Sequence, residues 1–408
     1  MAAIIDGNLP TLSNRRAFTV RCTLAFFCGA ALVGQSASMP AFTRADATFI
    51  YGAEEVFSLA ALPNGKILGG RGGLYYPVFR LNRNGSLDTN FVDRIPTVQE
   101  GTSVAVIHVL HVQRDRRMLV SFGKDIGEGN INRLLRRLLP SGELDDGFRI
   151  PLNFSSAHGA GHTDVSGVAV QRNGRILLSR DFYLLVDGPA VQRTPGVIRL
   201  LKDGTMDESF DPGEGAKFLD YRSGAQVIAL QRDGRILLGG LFTNFSGVAR
   251  IGLVRLEPNG KVELSFAPGG GPTNSFGPDV KIIHVLRGGK ILIAGNFTHY
   301  AGVPRAGLAR LLSNGTLDAS FDSGEIGGQI RAIAVQPNRK IIIGGNFTNV
   351  QGRVRNGLPR LNSNGTLDSN FDPALPAFDV IALALQRNGN ILLSDYSTGI
   401  WRVRAALP

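Results

Sequence analysis

The chain repeats one motif seven times, and this repetition constrains its fold more than any other feature. A full copy reads V-x-A-x-x-Q-x-[DN]-G-[KR]-I-L-x-G-G-x-F-T, a loop, and G-L-x-R-L-x-x-N-G-x-L-D-x-S-F. The last residues of successive copies are 42, 57, 62, 56, 55 and 50 residues apart, at Phe49, Phe91, Phe148, Phe210, Phe266, Phe321 and Phe371. Periods in this range are typical of solenoids and propellers.

The two ends of the sequence contain complementary parts of one further copy. Residues 45–49 match only the tail of the motif, Leu-Asp-x-Ser-Phe, whereas the last copy stops at Val403, before that tail. Because a closed ring joins its first and last repeats, the ends favour a propeller over a solenoid.

Within each copy, short apolar segments alternate with turn signals. Residues 380–385 alternate with a period of two, as a strand does, and Asn-Gly or Asp-Gly pairs supply the positive φ of tight hairpins. Four such strands make one propeller blade. We therefore predict an all-β, seven-bladed β-propeller of four-stranded antiparallel blades, in which an N-terminal strand completes the last blade. The predicted blades cover about 50–91, 92–148, 149–210, 211–266, 267–321, 322–371, and 372–408 with 44–49.

The first 37 residues have the features of a signal peptide, so the predicted single propeller domain spans residues 38–408. Arg15, Arg16 and Arg21 precede a mostly apolar stretch at 22–33 and then small polar residues. Arg15-Arg16-x-Phe18 also resembles a twin-arginine motif, and the general secretory route remains an alternative. We predict an exported protein that is periplasmic, cell-surface or extracellular, with no membrane span in the mature chain.

Both cysteines, Cys22 and Cys28, lie in the predicted leader, so the mature chain would contain no disulfide and no cysteine ligand. Loss of the three Arg and one Asp of the leader would lower the formal net charge from +11 to +9. The remaining basic residues recur with the repeat and form no run, so we predict a diffuse basic surface and no nucleic-acid partner. No cofactor or metal is predicted.

The pattern Gly-Gly-x-Phe-Thr at 239–243, followed by Asn-Gly-x-Leu-Asp-x-Ser-Phe-Asp, resembles the delta-60 repeat family of bacterial proteins. The resemblance covers roughly residues 45–408 and is strongest in the predicted blades four to six. It implies a β-propeller in an exported or surface protein. It implies no established activity, cofactor or catalytic residue.

Two groups of residues are candidates for a binding surface, which propellers commonly place among their longer loops. The first is a polar arc in the predicted blades four to six, formed by Arg250, Arg305, Arg355, Asn296 and Asn346. The alternative is that these are simply the least diverged repeats.

The second group consists of tyrosines, whose amphipathic rings suit sugar stacking or protein contact. The predicted loops contain Tyr75, Tyr76, Tyr183, Tyr221, Tyr300 and Tyr396. Incidental loop positions are the alternative explanation for these six.

Catalytic motifs such as Gly-x-Ser-x-Gly and His-Glu-x-x-His are missing from the sequence, and catalytic residues stay unassigned. We predict a monomeric module that binds a glycan or a protein through its long loops. An extracellular hydrolase or lyase acting on polysaccharide or peptide is one alternative, and a structural component of the cell envelope is another.

Overall fold

The computed structural model describes residues 47–51, 56–71, 78–91, 104–125, 131–150, 154–155, 165–179, 183–185, 191–193, 196–217, 224–275, 277, 279–376, 379–396 and 399–404. All regular secondary structure in these ranges is β-strand, as the predicted all-β class requires. None of these ranges contains a helix that could cross a membrane. The predicted leader lies outside them.

Seven of the described sheets follow one plan, in which a second strand pairs antiparallel with a first strand and a third strand. We number these repeat sheets 1 to 7. Their strands are Val56–Ala61, Ile67–Arg71 and Val78–Leu81 in sheet 1; Val104–Val112, Met118–Asp125 and Ile131–Leu138 in sheet 2; Gly167–Val170, Ile176–Ser179 and Val197–Leu200 in sheet 3; Gly224–Leu230, Ile236–Leu241 and Leu253–Leu256 in sheet 4; Asp279–Val285, Ile291–Asn296 and Leu308–Leu311 in sheet 5; Ile330–Val335, Ile341–Gly345 and Arg360–Leu361 in sheet 6; and Val380–Leu385, Ile391–Asp395 and Ile400–Val403 in sheet 7.

The short turns between the first and second strands form as the sequence predicts. In sheet 4, the Asp233 carboxylate accepts the backbone N–H of Arg235 at 3.1 Å, and Gly234 follows with a φ of 91°. Arg116 and Arg339 replace this glycine in sheets 2 and 6 and adopt φ values of 68° and 70°. We call the end of each sheet that carries these turns the turn end, and the opposite end the loop end.

The predicted fourth strand is reduced to a single bridge in sheets 1 to 6, for example between Leu311 and Leu317. The reason is local: the Asp318 carboxylate accepts the N–H of Ser320 at 3.1 Å, and Phe321 donates its N–H to the Asp318 carbonyl at 3.1 Å. This turn takes the chain out of the sheet, and Phe321 becomes fully buried. The prediction of four full strands is therefore wrong for these repeats.

Sheet 7 differs, because a fourth strand, Ala47–Tyr51, pairs antiparallel with Ile400–Val403. Thr48 lies opposite Arg402, and Phe49 lies opposite Trp401. The N-terminal segment thus pairs with the last repeat, at the place where the sequence predicts it.

The glycine pair of the motif permits two close approaches. A Cβ on Gly295 would lie 2.0 Å from the carbonyl oxygen of Asp279, because the first strand bulges between Val280 and Ile282. A Cβ on Gly239 would lie 2.7 Å from Val280 of the next sheet. One glycine therefore fits the bulge within its own sheet, and the other fits the packing of neighbouring sheets.

The core lies between neighbouring sheets. Leu237 and Leu253 of sheet 4 pack with Ile291 and Ile293 of sheet 5, for example. Buried side chains of sheets 7 and 1 form the same kind of cluster: Leu392, Ile400, Val56, Ile67, Phe79 and Leu81. The first strand of each sheet contacts the first strand of the next, and Val380–Leu385 contacts Val56–Ala61.

The predicted long loops contain hairpins of their own. The strands of these loop sheets are Phe154–Ser155, Tyr183–Leu185 and Val191–Arg193; Ala216–Lys217, Asn244–Phe245 and Val248–Ala249; Pro272–Thr273, His299–Tyr300 and Val303–Pro304; and Asn349–Val350 with Arg353–Val354. At the hairpin tip of the sixth repeat, the Gln351 amide donates to the Gly365 carbonyl at 2.9 Å. This hairpin therefore folds back onto the turn that follows its own third strand.

Candidate functional site

In six repeats, two cationic side chains and one carboxylate lie at equivalent positions at the turn end. We call each such group a trio. The third-strand arginine lies 2.5 to 2.7 Å from a carboxylate, and a second cation lies 2.6 to 3.4 Å from the same carboxylate. The trios are Lys66–Asp88–Arg80, Arg117–Asp145–Arg137, Arg175–Asp207–Arg199, Arg235–Glu263–Arg255, Lys290–Asp318–Arg310 and Lys340–Asp368–Arg360. The recurring charges thus have the structural, strand-pairing role that their repetition indicates.

The same arginines connect neighbouring repeats. Arg137 donates to the Lys202 carbonyl of the next repeat at 2.5 Å, and its guanidinium lies 4.5 Å from the centre of the Phe148 ring. Arg199 repeats both contacts, with Pro258 at 2.5 Å and Phe210 at 4.6 Å. The arginines and terminal phenylalanines therefore hold the repeats together.

The predicted arginine arc occupies equivalent positions at the ends of three loop hairpins. Arg250, Arg305 and Arg355 donate their backbone N–H groups to Thr243, Thr298 and Thr348 at 3.0, 2.7 and 2.9 Å. Each guanidinium also donates to the carbonyl of the residue before it. These bonds fix the hairpin ends, so the arginines are part of the fold.

Two members of the arc have carboxylate partners, since Arg305 lies 3.7 Å from Asp322 and Arg355 lies 3.1 Å from Asp372. In the repeat of Arg250, Ala267 occupies the position of Asp322 and Asp372. The Arg250 guanidinium instead contacts the Leu264 carbonyl at 3.4 Å. Arg305 is also buried. The structure therefore does not present the three arginines as one free cationic surface.

The assignment of Tyr300 to an exposed aromatic surface is wrong. Its side chain is 0% exposed, and its hydroxyl donates to the Gly315 carbonyl at 2.8 Å. Burial also raises the pKa of its phenol. When the repeats are aligned in sequence, Tyr300 corresponds to Phe245 and Val350, which are both fully buried. This position is therefore an apolar core position of the loop hairpin.

Replacing Tyr300 by Phe is expected to reduce the free energy of unfolding by about 1–1.5 kcal/mol, the net value of one buried hydrogen bond. Glycan binding should not change, because no part of this ring is exposed. Urea unfolding measures the effect, with Tyr396→Phe as the control at an exposed position. Unaltered stability, or altered binding, would contradict the core assignment.

The other predicted tyrosines divide into three cases. Tyr75, Tyr76 and Tyr221 lie outside the described residues. The backbone of Tyr183 pairs with Arg193 in a loop sheet. Tyr396 is described in full, and 41% of it is exposed.

Three predicted residues occupy one equivalent position in consecutive repeats. Asn296, Asn346 and Tyr396 each stand at the loop end of a second strand, and all three are exposed. The Asn346 side-chain oxygen accepts the Gln329 backbone N–H at 2.7 Å. Asn346 therefore stabilises the entry to its own first strand, and Tyr396 presents the larger surface.

Tyr396 stands in a group of side chains contributed by three repeats, which we call the Tyr396 cluster: Phe57, Arg331, Asp379 and Tyr396. The Phe57 and Tyr396 rings meet edge to face with centroids 6.0 Å apart. The Arg331 guanidinium lies 5.7 Å from the Tyr396 centroid and 2.6 Å from the Asp379 carboxylate. The Arg331 and Asp379 side chains are 30% and 29% exposed.

Three members of this cluster, Phe57, Arg331 and Asp379, were not predicted from the sequence. Phe57 and Arg331 occupy the bulge position of their first strands, opposite no residue of the second strand. A charged Arg331 between Ile330 and Ala332, in an otherwise apolar strand, is the signal that marks this position.

The acidic and histidine side chains of the described residues are candidate metal ligands. No cluster of three or more potential ligands occurs among them. Partial burial raises the pKa of Asp279, whose nearest cation is Lys281 at 3.7 Å. Glu214 is exposed and paired with Lys217, and this pairing lowers its pKa.

Four segments of the chain match a family model described as domain of unknown function (DUF5122) beta-propeller: residues 171–210, 231–266, 289–321 and 336–371. These segments extend from the first turn to the terminal phenylalanine of repeats three to six. None of the curated proteins matches the chain in sequence.

Solved structures share the fold at low sequence identity. A streptogramin B lyase structure has a TM-score of 0.51 and 13% identity, over 88% of this chain and 96% of the lyase. The extracellular domain of a putative hybrid two component system from B. thetaiotaomicron has a TM-score of 0.51 and 15% identity, over 89% and 42% of the two chains.

A GH74 xyloglucanase from Xanthomonas campestris also has a TM-score of 0.51 and 15% identity, over 89% of this chain and 54% of that enzyme. The chain thus spans about half of the xyloglucanase and less than half of the two component protein. Likeness at this identity shows the fold alone. The matched segments show β-propeller repeats in residues 171–371, and the closer likeness to delta-60 repeats stays a prediction.

Proposed function

We propose that the seven repeat sheets are the blades of a closed propeller, and that this propeller binds a glycan at the Tyr396 cluster. The observation that carries the binding proposal is the exposed Tyr396 side chain beside the partly exposed ion pair of Arg331 and Asp379. An aromatic face accepts the C–H face of a sugar, and a charged pair beside it bonds to sugar hydroxyls.

Several contacts between sheets 7 and 1 support closure of the ring. The Ser394 hydroxyl donates to the Val56 carbonyl at 2.7 Å, and Arg402 donates to the Arg83 carbonyl at 2.6 Å. The second contact repeats the link that Arg137 and Arg199 make between sequential repeats. The joint between the last and first repeats therefore resembles the other joints in its chemistry.

The position of the cluster favours a binding role. Its side chains come from the sixth, seventh and first repeats and gather at the loop end of the first strands. Such a site exists only when these repeats are joined, so the proposal links binding to closure. Export follows from the predicted leader and would place the site where extracellular glycans are present.

Binding is tested on an array of bacterial and plant glycans with purified residues 38–408. Tyr396→Ala is expected to weaken binding roughly tenfold or more, because stacking on an aromatic ring and its buried area are lost. Tyr396→Phe keeps the ring and should stay within about threefold of the parent protein, since one exposed hydroxyl contributes little. Arg331→Gln should weaken binding while preserving the fold.

Tyr300→Phe serves as the matched control, because it removes a tyrosine hydroxyl far from solvent. Equal binding by Tyr396→Ala and the parent protein would contradict the site. No binding to any glycan would overturn the glycan proposal and favour a protein partner.

A further inference from the structure

Part of the positive charge of the described residues is concentrated at the turn end. Each trio combines two cations with one carboxylate, and all six trios lie at the turn end. Each trio therefore has a formal charge of +1. In sheets 2 and 4 further carboxylates pair with a trio cation, since Arg117 lies 3.6 Å from Asp115 and Arg235 lies 3.7 Å from Glu257. The second cations of sheets 1, 3, 5 and 6 have no such additional partner among the ion pairs of the described residues.

Additional arginines lie on the short turns themselves. Arg172, Arg232, Arg287, Arg339 and Arg387 are exposed at the turn tips of five repeats. In sheet 4 the tip also carries Asp233, which pairs with Arg235 at 2.8 Å. The tip arginines of sheets 3, 5 and 6 thus add to the charge of the trios beneath them.

A groove of about 720 Å³ opens at the turn end between sheets 5 and 6. Four of its lining residues are cationic, namely Arg287, Lys290, Arg310 and Arg339, and no acidic residue lines it. Asp318 pairs with Lys290 at 2.7 Å and with Arg310 at 2.6 Å, so one carboxylate balances two of these cations. Arg287 and Arg339 have no ion-pair partner in the part of the chain that the structure describes.

Gln336 lines the same groove and is 6% exposed. Its side-chain oxygen receives no hydrogen bond from the described residues. The equivalent oxygens of Gln113 and Gln171 likewise receive none, whereas that of Gln231 accepts a hydrogen bond from Arg255 at 3.4 Å. Of these glutamines, Gln336 is the one that lines the groove of about 720 Å³ between sheets 5 and 6. A buried acceptor without a donor is unfavourable, and a hydroxyl at the inner end of the groove would satisfy it.

Related grooves occur at two other joints. The groove between sheets 3 and 4 has a volume of about 490 Å³, and its charged lining residues are Arg172, Arg232 and Asp233. The groove between sheets 7 and 1 is lined by Arg83, Arg387 and Arg402 and has a volume of about 230 Å³. Repeated cationic grooves suit a ligand that repeats its own anionic groups.

We propose that the turn end binds an acidic polysaccharide, with the groove between sheets 5 and 6 as its main subsite. Uronate carboxylates would pair with Arg287 and Arg339, and a sugar hydroxyl would donate to Gln336. The groove volume lies in the range of about 300–1,000 Å³ that is usual for small-ligand sites. This site is separate from the Tyr396 cluster, which lies at the loop end.

The test uses polygalacturonate fragments with purified residues 38–408 in isothermal titration calorimetry. The double variant Arg287→Glu/Arg339→Glu is expected to weaken binding roughly tenfold or more, and added salt should weaken binding to the parent protein. Lys217→Glu/Lys281→Glu changes the net charge equally at side chains that are 55% and 49% exposed, and it should bind like the parent protein.

Gln336→Leu separates sugar recognition from charge. It should weaken binding to polygalacturonate and leave the salt dependence unchanged, because no charge is removed. Tyr396→Ala should bind polygalacturonate normally, so failure of the loop-end site and failure of this site are distinguishable.

Three outcomes would overturn the proposal: no binding to polygalacturonate, equal loss in the two double variants, or equally tight binding of polyphosphate or single-stranded DNA. The last result would show recognition of charge alone.

Discussion

A chain that begins at residue 52 is expected to be much less stable than one that begins at residue 38. The shorter chain lacks Ala47–Tyr51, which pairs with Ile400–Val403 at four positions. The free energy of unfolding should fall by about 3–4 kcal/mol if each lost backbone hydrogen bond contributes about 1 kcal/mol. The truncation also leaves the backbone N–H and C=O groups of the third strand in sheet 7 unpaired. A sheet edge of this kind favours aggregation.

Urea unfolding of the two chains measures this difference. A chain that begins at residue 44 is the control, because it loses six residues of the longer chain and keeps the strand. The effect should also exceed that of removing the four residues 405–408 at the other terminus. Equal stability of all these chains would show that the N-terminal strand does not complete the last repeat.

Asp318→Asn is expected to destabilise the chain by about 3 kcal/mol at neutral pH, because removing one member of a buried charge group leaves its partners unbalanced. Asp318 is 5% exposed and accepts hydrogen bonds from Lys290, Arg310 and Ser320. Lys290→Gln is the matched control, since its side chain is 41% exposed and Arg310 still balances the carboxylate. We expect Lys290→Gln to lower the free energy of unfolding by about 1 kcal/mol or less.

The lowered pKa of Asp318 predicts that the stability difference between the parent protein and Asp318→Asn depends on pH. Burial alone would raise the pKa of Asp318, but the hydrogen bonds from Lys290, Ser320 and Arg310 hold it well below its usual range. A carboxyl group with a lowered folded-state pKa stabilises the fold above its unfolded pKa, near 4, and this stabilisation is lost as the pH falls toward the folded value. The difference between the parent protein and Asp318→Asn should therefore shrink below about pH 4.

Thermal or urea unfolding between pH 7 and pH 2 measures both effects. The parent protein should itself lose stability steeply in acid, because the pKa values of Asp88, Asp207, Glu263 and Asp368 are also lowered in their trios. A stability difference that stays constant down to pH 2 would contradict the ionised state of Asp318. Equal losses in Asp318→Asn and Lys290→Gln at pH 7 would contradict the importance of the buried carboxylate.

The sequence was most informative where a residue repeats. The turn glycines, the arginine and carboxylate pairs and the phenylalanines recur in nearly every copy, and the structure gives each the same contacts in successive repeats. The fourth strand was predicted wrongly, because the motif Leu-Asp-x-Ser-Phe has the apolar residues of a strand. The Asp carboxylate instead caps a turn, which strand periodicity does not reveal.

Site residues were harder to predict because they depend on which repeats meet. Tyr300 looks like an exposed loop residue when read alone, and only comparison with Phe245 and Val350 identifies an apolar column. Phe57 and Tyr396 are 339 residues apart in sequence, and their contact depends on the joint between the first and last repeats. The groove between sheets 5 and 6 depends in the same way on two neighbouring turns.

The joint between the first and last repeats thus underlies both the proposed ring and the Tyr396 cluster. It can be tested directly, because Cys22 and Cys28 lie outside residues 38–408, which contain no cysteine. Thr48 and Arg402 are paired residues of adjacent antiparallel strands. Such pairs have Cα atoms about 4.5–5.5 Å apart, a separation that a disulfide bond can span.

The decisive measurement is therefore disulfide formation in Thr48→Cys/Arg402→Cys under native, oxidising conditions, followed by mass spectrometry of the linked peptides. The two single-cysteine variants serve as controls, because they can form only intermolecular bonds. We expect the double variant to form the intramolecular disulfide in most molecules, and its stability to increase on oxidation. A double variant that stays reduced, or that links only between molecules, would contradict the closed ring and the site built at its joint.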